Sequence, residues 1–292
     1  MPRKRPAPNA QPLFEAPVAP ALKLVTPSTR AESLPIADQS VQTTVCSPPY
    51  WGQRDYGYDE QSGVEGTYLE YLDWWATVMI ELRRVTIPSG TVWFVVGDTY
   101  NTRAPIRTSA HQTGLGHDSP ELRASWAEYA ARGRVRYSAR QPGLKDKDLM
   151  GLPWRMAMIA QEVGWWVRCD VIWAKPWGAS EKAPDRPARN HETVFLLARE
   201  ETGTKSRRTP YITKNRSVWV IPPRNDNTGP ASFPDELVRV CIEATSDPGD
   251  VVLDPFGGAG TTPRVALAMD RVPLAFDAAP ADLVEAWERG ER

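Results

Sequence analysis

Two short runs, far apart in the chain, carry residue types suited to chemistry: Thr44-Val45-Cys46-Ser47-Pro48-Pro49-Tyr50-Trp51 and Val251-Val252-Leu253-Asp254-Pro255-Phe256-Gly257-Gly258-Ala259-Gly260-Thr261-Thr262. In the first, the Ser47 hydroxyl and the Pro48 carbonyl are acceptors for the hydrogens of an amino group. An amino nitrogen conjugated to a ring is a poor nucleophile, and acceptors on its hydrogens shift it toward tetrahedral geometry and aim its lone pair. Pro48 and Pro49 fix the backbone and donate no competing amide hydrogen, while Tyr50 offers a ring face to a planar ligand. In the second run Asp254 ends an expected strand, glycines permit a tight turn, and Thr261-Thr262 open a helix, a pattern that predicts unpaired backbone amides facing an anionic or carboxylate-bearing ligand. No Lys follows the glycines, so this is not a phosphate-cradling loop, and their spacing is not the dinucleotide fingerprint. About 20 residues after Asp254, Asp277 closes the next expected strand, where a carboxylate accepts hydrogen bonds from two ribose hydroxyls. Singly, each run also reads as plain structure: a glycine turn between strand and helix, or a Pro-Pro strand terminator.

Together the runs carry a resemblance. The first resembles the amino-group methylation motif of nucleic-acid methyltransferases, and the second their S-adenosylmethionine loop. Their order, catalytic motif before cofactor loop, resembles the permuted β-group of DNA amino-methyltransferases. The likeness extends from about Leu34 to Asp277 and includes Leu152-Pro153-Trp154-Arg155, Gly164-Trp165-Trp166-Val167-Arg168, Ile172-Trp173-Ala174-Lys175-Pro176, Asn190-His191-Glu192 and Phe233-Pro234-Asp235-Glu236-Leu237. It implies a Rossmann-like S-adenosylmethionine-dependent methyltransferase fold, circularly permuted, with a mostly parallel sheet and an antiparallel edge strand. It also implies Ser47, Pro48, Pro49 and Tyr50 as the catalytic set. Asp254, Pro255, Phe256, Gly257, Gly258, Gly260 and Thr261 would surround the cofactor's methionine end, Phe233 and Pro234 would close over it, and Asp277 would hold the ribose. His191 and Glu192 are expected to position a strand end beside the pocket. The sequence departs from the family in three places: Asp277 stands where Glu is usual, Ala259 replaces a common Ser, and Val25-Thr26-Pro27 offers no acid for the adenine.

The implied reaction is methyl transfer from S-adenosylmethionine to a base extracted from double-stranded DNA. Extraction costs a few kcal/mol, and stacking on one aromatic ring returns about 1–3 kcal/mol. Ser at the first motif position favours the 4-amino group of cytosine, with the 6-amino group of adenine as the alternative. Further alternatives are a catalytically silent DNA-binding protein on the same fold, and an RNA or protein substrate. Methylation of the cytosine 5-carbon is disfavoured, because its cysteine nucleophile follows a proline in that family and Cys46 instead precedes Ser47. No metal is expected. A cognate restriction endonuclease is a partner the resemblance allows, and a monomer or homodimer is expected.

These residues need a scaffold that brings positions some 200 apart to one place. Short β-rich runs alternate with helical patterns, the signature of an α/β fold with crossover helices. Expected strands are Ala21–Val25, Val41–Cys46, Thr91–Val96, Cys169–Trp173, Glu192–Ala198, Val251–Asp254 and Pro273–Asp277. Expected helices are Tyr68 to Val85, closed by Pro88 and Gly90, Leu152 to Ala160, Pro234 to about Ala244, Thr261 to Met269 and Ala281 to Arg289. The 292 residues, 41% hydrophobic with 12 Trp, suffice for one core, and a net charge of -1 means that any nucleic-acid contact must be a local patch. Residues 1–20, Pro-rich with a basic tip, read as a disordered tail, and residues 21–292 as the methyltransferase domain. The span from about 101 to 148, rich in Arg and Lys, reads as an insertion, and with the stretch from Lys205 to Arg224 it is the candidate for sequence recognition. Three unpatterned cysteines, no apolar run of bilayer length and no secretory signal after Met1 point to a cytoplasmic protein without membrane contact.

Overall fold

The computed structural model describes residues 23–24, 31–53, 61–101, 141–177, 184–201, 216–224 and 233–277. The strands are β1 (Lys23–Leu24), β2 (Val41–Cys46), β3 (Thr86–Val96), β4 (Trp166–Ala174), β5 (His191–Ala198), β6 (Val218–Val220), β7 (Val251–Asp254) and β8 (Val272–Ala275). The helices are α1 (Tyr68–Val85), α2 (Leu152–Glu162), α3 (Asp235–Thr245) and α4 (Thr261–Ala268). All strands join one eight-stranded sheet in the order β1-β8-β7-β2-β3-β5-β4-β6. The expected tail, the body of the insertion and the closing helix lie outside the described residues, as does the segment that follows β1.

The sheet is mostly parallel, and its central strands β2 and β3 are almost continuously buried, as strands covered on both faces are. Its antiparallel member is β5, which runs against both neighbours, β3 and β4, and so stands inside the sheet instead of at an edge. The edge strands β1 and β6 both run parallel to their neighbours. The resemblance implied an antiparallel strand at an edge, and hydrophobic periodicity could not correct its position, because it reports how a strand is covered and not its direction. The first strand of the chain, β1, pairs with the last, β8, so the two chain halves meet at one edge of the sheet.

Alternating side chains of β3 show how the layers form. Val92, Phe94 and Val96 pack with α1 and α2 through Trp75, Leu82, Met156 and Ala160. Trp93 and Val95 belong to the opposite cluster, with Leu237, Val238 and Cys241 of α3 and Val265 and Ala266 of α4. Helix α1 opens on a capping box, Thr67 Oγ1 accepting from the Glu70 amide at 3.2 Å while Glu70 Oε2 accepts from the Thr67 amide at 2.9 Å. It stops at Val85, and Pro88 and Gly90, read as its closing signals, stand beyond its end. They occupy a bulge at the start of β3, where the pairing jumps from Val41–Thr86 to Thr43–Thr91. A side chain at Gly90 would sit 2.9 Å from the Gln42 carbonyl oxygen, so the bulge requires glycine. Among the described residues no helix is long and apolar enough to cross a membrane.

Candidate active site

Every residue of chemical interest lies where strands reach one edge of the sheet. Strands β2, β7 and β8 run in the same direction, so Ser47, Pro255 and Asp277 all follow carboxyl ends on that edge. Because β5 is reversed, it delivers its beginning there, and Glu192 comes level with the end of β3, where Val96 pairs with Thr193. The Thr262 hydroxyl donates to the Val45 carbonyl at 3.1 Å, joining the first turn of α4 to the end of β2. The two distant runs are thereby brought side by side.

In the Ser47–Tyr50 run, Pro48 is buried, whereas Ser47, Pro49 and Tyr50 are partly exposed. The Pro49 carbonyl already accepts a hydrogen bond from the Tyr71 hydroxyl of α1 at 2.9 Å. The Tyr50 carbonyl accepts from the Gln53 amide at 3.2 Å. The Tyr50 hydroxyl donates to Glu192 Oε2 at 2.7 Å, and Glu192 Oε1 pairs with Lys175 Nζ at 2.5 Å. Burial first, and then the Glu192 carboxylate, push the Tyr50 phenol well above its ordinary pKa, a hydrogen bond with Ser47 acting the other way. The ring lies over Gly97, where an added Cβ would sit 3.0 Å from Tyr50 Cε2. Cys46 is a buried thiol pushed well up by burial and by the nearby Asp254 carboxylate, the reverse of what a nucleophilic cysteine needs.

The glycine turn is more self-contained than expected. The amides taken to face a ligand are largely engaged: Phe256 donates to Asp254 Oδ1 at 3.0 Å, Gly257 to the Phe276 carbonyl at 2.7 Å, Gly258 to Asp277 Oδ2 at 2.7 Å and Gly260 to the Gly257 carbonyl at 2.8 Å. A turn this tight satisfies itself because Gly258 and Gly260 take positive φ, 48° and 73°. Asp277 stands two residues beyond β8, which stops at Ala275, and its bond to Gly258 joins the expected ribose acceptor to the turn. Asp254 is buried, and burial pushes its carboxyl up to about 7 against the pull of the Phe256 amide, with the Asp277 charge adding to the rise.

The surroundings agree with a nucleoside-sized ligand. A carboxylate at the strand end beside a glycine turn suits a ribose, and no Lys directly follows the glycines as in a phosphate-cradling loop. The Phe256 ring meets Trp74 of α1 at 5.8 Å between centroids. Pro255 is buried, and Gly258 is exposed at the crest of the turn. Thr261 receives the Arg224 guanidinium at 3.4 Å. Pro234 is the residue before α3 and accepts from the Leu237 amide at 3.0 Å. Phe233 is buried in the apolar cluster that holds Val252 and Val265, and Asp235 pairs with Arg264 and with Arg224. The sequence did not single out Gly97, Trp74 or the tie between Tyr50 and Glu192. Those pairings cross up to 142 positions and leave no local pattern. Arg224, grouped in the sequence with residues for sequence recognition, reaches the Thr261 hydroxyl and Asp235.

Residues 41–281 match the model of a family described as DNA methylase. The chain is 37% identical over 260 residues to the type II methyltransferase M.Cfr9I of Citrobacter freundii, covering 82% of this chain and 78% of that protein. It is 37% identical over 269 residues to M.XycI of Xanthomonas campestris pv. cyanopsidis, covering 86% of this chain and 81% of that protein. Among solved structures the fold is similar to a putative DNA modification methylase of Thermus thermophilus complexed with S-adenosyl-L-methionine, with a TM-score of 0.61, 22% identity and coverage of 92% of this chain and 93% of that one. The PvuII DNA methyltransferase, cytosine-N4-specific, gives a TM-score of 0.61 at 19% identity, covering 92% of this chain and 88% of that one.

Proposed function

Because this chain belongs to the DNA methylase family of S-adenosylmethionine-dependent amino-methyltransferases, we propose that it methylates the 4-amino group of cytosine in double-stranded DNA. The observation that carries the reading is the Thr262–Val45 bond and its neighbours, which set the glycine turn beside Ser47 on one sheet edge. S-adenosylmethionine, when bound, supplies the methyl group. Asp277 and the turn from Asp254 to Thr261 would hold it, with Phe233 and Pro234 closing over its methionine end.

The other roles fall to the chain's own atoms. The Ser47 hydroxyl and the Pro48 carbonyl accept from the amino hydrogens of the extracted base and turn its lone pair outward. The Pro49 carbonyl is occupied by Tyr71, so the Pro48 carbonyl is the one assigned to this task. Tyr50 supplies the stacking face that offsets the cost of extraction. Ser47 in the first motif position is the ground for preferring cytosine, and a type II restriction endonuclease of the same specificity is the proposed companion. The test is to express the chain in a host lacking DNA methylation, digest the DNA to nucleosides and separate them. N4-methylcytosine is the expected product. N6-methyladenine would replace the proposed target, and unmodified DNA would refute the activity.

A further inference from the structure

Tyr50 is held at three points, and the third is unexplained by folding alone. Its peptide is fixed by Pro49 and by the Gln53 amide, and its ring lies over Gly97. The phenol oxygen is then tied to Glu192 at 2.7 Å. Glu192 is itself oriented: its other oxygen meets Lys175 at 2.5 Å, and Lys175 Nζ lies 4.3 Å above the centre of the Trp173 ring. Trp173 is buried and donates from its indole to the Ile221 carbonyl at 2.8 Å, which anchors the set to the residue after β6. Glu192 and Lys175 keep about a fifth of their side-chain surface exposed, 20% and 21%, so the pair sits at the rim of the sheet edge and not in the core.

We propose that Glu192, oriented by Lys175, is a positioning residue that clamps the Tyr50 ring in the plane on which the extracted base stacks. A tyrosine has two side-chain torsions. Fixing the phenol oxygen removes the freedom left after the backbone is set, so the platform is formed before the base arrives. The reversed strand makes this possible, since only an antiparallel β5 brings its second residue to the active edge. The inference rests on the methyltransferase reading but not on which base is modified.

The test is a double-mutant cycle with Tyr50→Phe, Glu192→Leu and both together, using unmethylated bacterial genomic DNA and radiolabelled S-adenosylmethionine. Glu192→Leu removes both acceptor oxygens at similar size, and S-adenosylhomocysteine binding by calorimetry reports whether each variant is folded. Each single variant is expected to lose about tenfold in kcat/KM for DNA, the worth of one such hydrogen bond, with S-adenosylhomocysteine affinity within about twofold of the parent. The double variant should be no slower than the worse single one. Lys175→Met should reproduce the loss in the Tyr50 background and not in the Tyr50→Phe background. Losses that multiply in the double variant, or full activity in Glu192→Leu, would overturn the clamp. Nucleoside analysis of the same reactions keeps this apart from the functional reading: N6-methyladenine would refute cytosine as the target and leave the clamp standing.

Discussion

At the scale of single residues, the proposed function divides the chemistry between side chains that act on the base and side chains that hold the cofactor, and the division is measurable. Ser47→Ala removes one acceptor from the amino group and should slow methyl transfer by about 10²-fold. Tyr50→Ala should weaken productive DNA binding by about 1–3 kcal/mol. Both should leave S-adenosylhomocysteine affinity near the parent value in calorimetry, whereas Asp277→Ala should lower that affinity. Asp254 carries a pH signature. Its carboxyl, raised to about 7 in the fold and near 3.9 when unfolded, holds a proton in the native state between those values. The native protein therefore binds the extra proton there, and the stability of the cofactor-free protein falls as pH rises from about 4 to about 7, by up to about 4 kcal/mol. Above about 7 the cost of the ionised, buried group is fully present. Urea unfolding at about pH 5 and about pH 8 should show this loss, and Asp254→Asn should flatten it. An unchanged slope in that variant would assign the effect elsewhere.

At the scale of elements, the site depends on how ends are placed. Gly97→Ala, just past the end of β3, puts a methyl 3.0 Å from the Tyr50 ring, so the ring must tilt. Methyl transfer should drop about tenfold or more while the melting temperature moves little. Thr262→Val breaks the bond between α4 and β2 and should cost about 1 kcal/mol in denaturant melts, with weaker cofactor binding. The elements that position the two motifs were legible beforehand. Strands β2 and β7 have the bounds their apolar runs predict, and α1 begins at Tyr68, where Thr67 and Glu70 supply a capping box. Pro88 and Gly90 marked the end of α1 correctly but gave no sign of the bulge they form, and three-residue β6 was missed because it is too short for any period to register. The residues of the catalytic run were readable by type. Their partners Glu192 and Gly97 were not, since those contacts come from strand order and direction.

At the scale of the whole molecule, one sheet carries the Ser47–Tyr50 run and the glycine turn, the proposed target and donor halves of the reaction, on the adjacent strands β2 and β7. Saturation with S-adenosylhomocysteine at about 100 times its Kd should stabilise the fold by about 2.7 kcal/mol, a rise of roughly 5–10 °C in melting temperature that differential scanning calorimetry reads directly. The permuted order was legible because Ser47 precedes Asp254. The internal reversal at β5 was not. The seam between β2 and β7 pairs Thr44 with Leu253, which has a consequence during synthesis. A ribosome that has released every strand through β6 has made the whole base-handling apparatus, yet that nascent polypeptide is chemically silent. Its genome-modifying power switches on only when the final stretch emerges and threads into the waiting gap beside β2.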